Sequence, residues 1–207
     1  MHNIIDRKNI SELLLKYNFA LQMLETQLNI LIKEFEFKNK YNPVEHIKSR
    51  MKSEKSAVEK LEKKGYDVTL NNLKLHVHDM IGVRIVCSFI SDVYSVVDMI
   101  KNFKQFKIKD ERDYIKNPKD TGYMSYHLIV LVPIHLDRKI EYIPAEIQIR
   151  TIAMDFWASL DHKIQYKFPS AIPEEVKKEM LNCSYDIQAL DKKIYELNES
   201  VKKYNDL

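Results

Sequence analysis

The chain has 207 residues, 45% of them hydrophobic and 30% charged, with a formal net charge of +3. That balance excludes global disorder, and so small a total excludes binding to nucleic acid through overall charge alone. No apolar run approaches ~20 residues, and Asp6, Arg7 and Lys8 come too early for a secretory leader, so a protein that does not enter the membrane and stays in the cytoplasm is expected.

In chain order, a helix is predicted over 8–38. Leu14, Tyr17, Leu21, Leu24, Leu28, Leu31 and Phe35 alternate spacings of three and four, which draws one continuous apolar stripe. Residues 46–52 read as a short strand, after which Ser53 caps a helix that runs to Lys64 and ends at Gly65. This stretch is locally basic. Seven Lys or Arg between 48 and 64 stand against three Glu, a net of +4 that attracts phosphate groups, although Lys55, Lys63 and Lys64 suit a plain solvated face. The run "MIGVRIVCSFI", 80–90, is mostly apolar and β-branched and reads as a central strand. Ser91 or Asp92 should cap the next helix, over 92–103, with Val93, Val96, Val97 and Ile100 inward.

Strands follow at 126–134, ending near Pro133, and at 139–150, its antiparallel neighbour. A helix over 152–168 should turn Phe156, Trp157, Leu160 and Ile164 inward. Pro173, Glu174 and Glu175 then open a last helix over 173–204, because proline suits a first turn and acids suit the positive end of the helix dipole. Its stripe runs Val176, Met180, Cys183, Ile187, Leu190, Ile194, Leu197, Val201. Both terminal stripes exceed what one small sheet needs, so oligomer contacts are expected from both. The whole is α+β, a mixed sheet flanked by helices with long N- and C-terminal helices, and with no repeat or linker it reads as one domain over 1–207. The two cysteines, Cys87 and Cys183, lie far apart without zinc-site or disulfide spacing.

The chemistry gathers in three places. In "DMIGVR", Gly82 interrupts an apolar strand, which suggests a bulge or a close approach by ligand or backbone, and Arg84 needs a partner, be it a ligand or an internal acid. In "DYIKNPKDTGYMSYH" a turn around Gly122 is surrounded by Arg112, Lys116, Lys119, Tyr123 and His127; Tyr123 could stack on a flat ring or simply pack, and His127 could be structural. In "AEIQIRT", Glu146, Gln148 and Arg150 share one face of a strand. Asp79 and Glu146, on separate strands of one sheet, are a typical pair for Mg²⁺ when a ligand supplies phosphates. Arg50 and Arg84 could lie on a base. The residues thus point to a Mg²⁺-dependent nucleotide enzyme, a transferase. The rival is a non-catalytic module that binds nucleotide or single-stranded RNA, which would need neither carboxylate; RNA binding is not itself expected.

"DMIGVRIVCSF", "RDYIKNPKDTGYMSYH" and "EIQIRTIAMDFWASLDHKIQYK" closely resemble the synthetase domain of the RelA/SpoT homologues. The length and flanking helices resemble the small alarmone synthetases, and "YNPVEHIKSRMK" is nearer their RelP type. The resemblance implies a nucleotidyltransferase-like synthetase fold and a homotetramer. It implies transfer of pyrophosphate from ATP to the 3′-hydroxyl of GDP or GTP, with no hydrolase activity. Matched by motif, Asp79 and Glu146 are the implied catalytic and Mg²⁺-binding residues. Arg50 and Arg84 would sandwich adenine, and Lys52, Ser56 and Lys60 would hold the phosphates of ATP. Tyr123 would stack on guanine, Arg112 and Lys119 would meet the acceptor's phosphates, and His127, Gln148 and Arg150 would line the same site. Two positions depart from the common pattern: Thr121 replaces an Asn, and Asp155 stands where relatives also carry Asn or His.

Overall fold

The computed structural model describes residues 7–136, 139–168 and 172–205. Five strands make one sheet in the order β1-β2-β5-β4-β3, namely β1 (Val44–Met51), β2 (Ile81–Cys87), β3 (Lys107–Asp113), β4 (Tyr126–Leu136) and β5 (Lys139–Thr151). β2 and β5 run parallel at the centre, and every other pair is antiparallel. The mixed sheet expected from the sequence is therefore present.

Strand alternation gives the sheet two unlike faces. One is apolar: Ile81, Val83 and Ile85 of β2, Ala145, Ile147 and Ile149 of β5, and Leu128, Val130 and Val132 of β4 are buried in one cluster. Helix α1 (Arg7–Asn39) lies across this face, touching β1, β2, β4 and β5 and contributing Leu13, Tyr17, Ala20, Leu24, Leu28 and Ile32. Each fully buried Leu there contributes about 1.5–3 kcal/mol. The inner stripe of α1 is thus spent on its own sheet, while Leu15, Phe19, Met23 and Ile30 of the same helix remain exposed. Helix α4 (Ile90–Lys101) packs beside it through Val93, Val96, Val97 and Ile100, as expected.

Ser53 does cap α2 (Glu54–Lys63), accepting from the Ser56 N–H, and Gly65 follows it at φ +75°. A short helix, α3 (Leu70–His76), capped by Thr69, and the edge strand β3 were not anticipated. The cap of α4 differs too. Phe89 occupies the position with no side-chain cap, while Asp92 sits a turn inside and accepts a hydrogen bond from Tyr41 Oη at 2.7 Å. β4 runs through Pro133 to Leu136; β3 pairs with β4 only as far as Leu131, so Pro133 lies where that edge carries no ladder.

Helix α5 (Ile152–Lys167) follows β5 directly and is capped by Thr151. Trp157 is buried as expected, but Phe156 is 64% exposed and Met154 takes the inner place. Helix α6 (Glu174–Asn205) packs against α5 and α4. Trp157 Nε1 donates to the Met180 carbonyl at 3.2 Å, and Thr151 Oγ1 donates to the buried Asp191 at 2.7 Å. Leu190, Leu197 and Val201, on the expected α6 stripe, remain exposed. Among the described residues no helix is long and apolar enough to cross a membrane.

Candidate active site

The second face of the sheet is polar, and register sets its order. Lys48, Arg84, Gln148, His127 and Arg112 are successive cross-strand partners, one from each of the five strands. The neighbouring row holds Arg50, Gly82, Glu146 and Ile129. No bulge occurs at Gly82, because the ladder with β1 is unbroken from Ile47 to Met51. A Cβ at Gly82 would meet only Arg50 atoms, at 3.9 Å, so protein packing does not demand glycine there. Its missing side chain instead leaves room between Arg50 and Glu146, in a cleft lined also by Lys48, Arg84 and Gln148.

Asp79 stands just before β2 and is held by two ammonium groups, Lys52 Nζ at 2.8 Å and Lys60 Nζ at 2.7 Å. The backbone fixes this meeting, since Lys52 N donates to the Met80 carbonyl at 2.7 Å. Burial works to raise the Asp79 pKa, but the two lysines outweigh it and hold the carboxyl below its usual range. Glu146 accepts from Gln148 Nε2 at 2.9 Å and lies 3.2 Å from His127 Nδ1. Burial also works to raise its pKa, and is outweighed by His127 and Gln148, so this carboxyl too is held low. The Asp79 charge opposes that lowering, as the smallest of the named influences.

Beyond Glu146 the polar groups form a chain. His127 Nε2 meets Tyr123 Oη at 2.8 Å, and Tyr123 Oη accepts from Arg150 at 3.1 Å. Arg150 also donates to Gln148. Burial pushes the Arg150 guanidinium down from its ordinary pKa. Asp155, in the first turn of α5, lies 3.2 Å from Arg84 and 3.5 Å from Arg150. Lys119 Nζ sits 4.8 Å from the Tyr123 ring centre and 4.7 Å from that of Tyr114.

The turn that presents Tyr123 has a specific cause. Gly122 adopts φ +83°, and a Cβ there would fall 2.2 Å from Ser184 Oγ on α6. Glycine thus lets the loop lie directly against the last helix.

Thus Asp79, Lys52 and Lys60 form one group, and Glu146, His127, Gln148, Tyr123, Arg150 and Arg84 form another, with Arg50 at the cleft between them. Two of the expected residues are engaged elsewhere. Ser56 Oγ accepts from the Ser53 hydroxyl at 3.0 Å, and Arg112, on the edge strand, turns to Asp110 at 3.2 Å. Sequence reasoning missed Tyr114, whose ring lies edge-on to His127 at 5.1 Å, and Lys48, on the same row as Arg84. Alternation along "HIKSR" places Lys48 on the face of Arg50 and could have found it.

Among the described residues no group of three or more His, Cys, Asp or Glu side chains is placed to hold a metal ion. Two carboxylates alone fit Mg²⁺, which keeps water and takes substrate phosphates as further ligands, and would not fit a closed structural metal site.

Two carboxylates set among lysines and arginines on an open sheet face are the equipment of an enzyme that handles polyphosphates. Residues 49–171 match the model of the region found in RelA/SpoT proteins. The chain is 46% identical over 188 residues to the GTP pyrophosphokinase YwaC of Bacillus subtilis, covering 91% of this chain and 90% of that protein. It superimposes on the crystal structure of small alarmone synthetase 2 from the same organism with a TM-score of 0.84 at 44% identity, covering 93% of this chain and 99% of that one. The product-bound structure of small alarmone synthetase 1, which holds pppGpp, gives a TM-score of 0.86 at 34% identity, covering 94% and 99%. The chain belongs to the RelA/SpoT family and groups with its small alarmone synthetases, as the resemblance in the sequence implied.

Proposed function

We propose that this protein is an alarmone synthetase, transferring the β,γ-pyrophosphate of ATP to the 3′-hydroxyl of GDP or GTP. The 3′-oxygen forms a bond to the β-phosphorus, the bond between that phosphorus and the α,β-bridging oxygen breaks, and AMP leaves. The observation that carries this reading is two carboxylates held low, Asp79 between Lys52 and Lys60 and Glu146 beside His127 and Gln148, with Arg50 and Arg84 at the cleft. A module that only binds nucleotide or RNA has no use for the two acids, and nothing in the fold favours it.

Arg50 and Arg84 lie on adjacent strands, suited to opposite faces of adenine. Lys52 and Lys60 pass from Asp79 to the phosphates of ATP, a move that frees both Asp79 oxygens, and Ser56 adds a hydroxyl from the same helix. Asp79 and Glu146 would then hold Mg²⁺, which supplies charge neutralisation on the phosphates. Glu146, ionised and fixed by His127 and Gln148, is placed to draw the proton from the 3′-hydroxyl. On the acceptor side Tyr123 offers its ring to guanine once Lys119 turns to the acceptor's phosphates, where Arg112 joins it, and Arg150 and His127 hold the Tyr123 hydroxyl. Alignment of two bound nucleotides contributes on the order of 7 kcal/mol or more to such a transfer.

We read the chain as one synthetase domain whose terminal helices, with the exposed Leu190, Leu197 and Val201 of α6, build a homotetramer. The deciding experiment is incubation with ATP, GDP and Mg²⁺. Equal amounts of AMP and ppGpp, lost on adding a chelator, support the reading; nucleotide binding without turnover would transfer support to the regulatory module.

A further inference from the structure

One acid in this cleft has no part in the chemistry above, yet it touches both halves of it. Asp155 Oδ1 lies 3.2 Å from Arg84 Nη1 and 3.5 Å from Arg150 Nη1. The two arginines come from different strands, β2 and β5, two residues apart in register and so on one face, since Arg84 pairs with Gln148 and Arg150 with Val86. Arg84 is part exposed, at 38%, whereas Arg150 is enclosed, at 2%. Two guanidiniums so close repel each other, and the carboxylate between them cancels that repulsion. Its position on α5 suits the charge, because the first helical turn carries free N–H groups and the positive end of the dipole. The oxygen is shut off from solvent, as are Arg84 Nε and Arg150 Nε, none of which has a directed hydrogen bond. The grip is therefore ionic.

We propose that Asp155 is a positioning residue that sets the donor and acceptor subsites together, by fastening Arg84 on one side and Arg150 on the other to a single carboxylate oxygen. Released from it, Arg84 swings out of the adenine plane. Arg150, still enclosed, loses its charge partner and its fixed hold on Tyr123. One substitution then weakens two ligands that never share an atom with it. The naming of the ligands rests on the synthetase reading; the shared grip does not.

The test is steady-state kinetics on Asp155→Asn and Asp155→Ala, with Arg50→Ala as a donor-side control. Asp155→Asn keeps shape and acceptor atom while removing the charge, so its unfolding midpoint should match that of the unaltered chain. The KM for ATP and the KM for the guanine nucleotide should both rise about tenfold, the low end of what an opposite charge within about 4 Å contributes to its partner. Both should rise further in Asp155→Ala, while Arg50→Ala raises only that for ATP. A rise confined to one substrate in Asp155→Asn would overturn the proposal, as would a fall in kcat with both KM values unchanged. Calorimetric titration with a non-hydrolysable ATP analogue and, separately, GDP reads the same paired weakening as dissociation constants. That arm holds even if the unaltered chain makes no alarmone, so failure of the synthetase reading and failure of this inference give different results.

Discussion

Gly122→Ala should damage the protein from a position that carries no functional group. The backbone there has φ +83°, and an L side chain in that region costs about 1–2 kcal/mol. The new Cβ would lie 2.2 Å from Ser184 Oγ and 2.5 Å from Ser184 Cβ, with Leu181 Cδ1 at 3.3 Å behind them. Relief requires the loop or α6 to shift, and forced overpacking of this kind costs about 1–3 kcal/mol. The total, roughly 2–5 kcal/mol, corresponds to a fall in melting temperature of roughly 4–20 °C for a chain of this size. A double-mutant cycle separates the two contributions. Ser184→Gly removes the atoms that clash, so in the Gly122→Ala background it should recover about 1–3 kcal/mol while the backbone contribution persists. Denaturant unfolding of the four proteins gives the coupling directly. Additivity to within about 0.5 kcal/mol would show that α6 does not press on this turn and would refute the account.

Glu146→Gln should leave the unfolding midpoint near normal and lower kcat by about 10²-fold or more, the range for a lost catalytic acid–base group, as measured by AMP release. Tyr123→Phe keeps the ring but loses the links to His127 and Arg150 that fix it, so acceptor KM should rise by about tenfold, as in Asp155→Asn; Tyr123→Ala, which also removes the ring, should raise that KM further, toward the upper end of the roughly 5–100-fold range for one base–aromatic stack. Asp191 is buried, which raises its pKa despite the Thr151 hydrogen bond, so the folded state holds its proton more tightly than the unfolded chain. Stability from this group is full below the unfolded pKa, ~3.9, and is lost as pH rises through the folded value. Asp191→Asn should therefore denature later than the unaltered chain at pH 7, with the advantage shrinking toward pH 4. Leu197→Asp, on the exposed face of α6, should lower the mass seen by light scattering without changing the circular dichroism spectrum.

Local rules found the elements whose causes are local. The Ser53 cap and the alternation of "AEIQIRT" each express a hydrogen bond or a period within a few residues, and each appears where expected; the α1 stripe is buried at Tyr17, Leu24, Leu28 and Leu31, but Leu13, Ala20 and Ile32 are buried where Leu14, Leu21 and Phe35 were expected. β3, "KIKDERD", was illegible because an edge strand with both faces largely exposed needs no apolar alternation. Helix α3 was missed because seven residues are too few to show a period. The inward residues of α5 were misassigned at one place, Phe156 for Met154, because the rotation of a helix is set by what it packs on. The same limit hid the grip of Asp155 on two arginines, which depends on how α5 leaves β5 and on the parallel register of β2 beside it. The resemblance singled out residues that the fold gathers around the cleft, Arg50, Arg84, Glu146 and Gln148 among them, but the engagement of Ser56 and Arg112 elsewhere is a matter of side-chain choice that motifs do not carry.

The parallel pairing of β2 with β5 also governs how the chain comes off the ribosome. β1 and β2 are neighbours separated by two short helices and can join as soon as they emerge, but the other edge of β2 stays open until Thr151 is out. At about 5–20 residues per second, the 64 residues from Cys87 to Thr151 take roughly 3–13 s to synthesise. During that interval Val83 and Ile85 lie at a bare strand edge and α1 has only half a surface to rest on. The nascent polypeptide is therefore most vulnerable to capture by chaperones, or to clumping with its neighbours, between the emergence of Cys87 and that of Thr151.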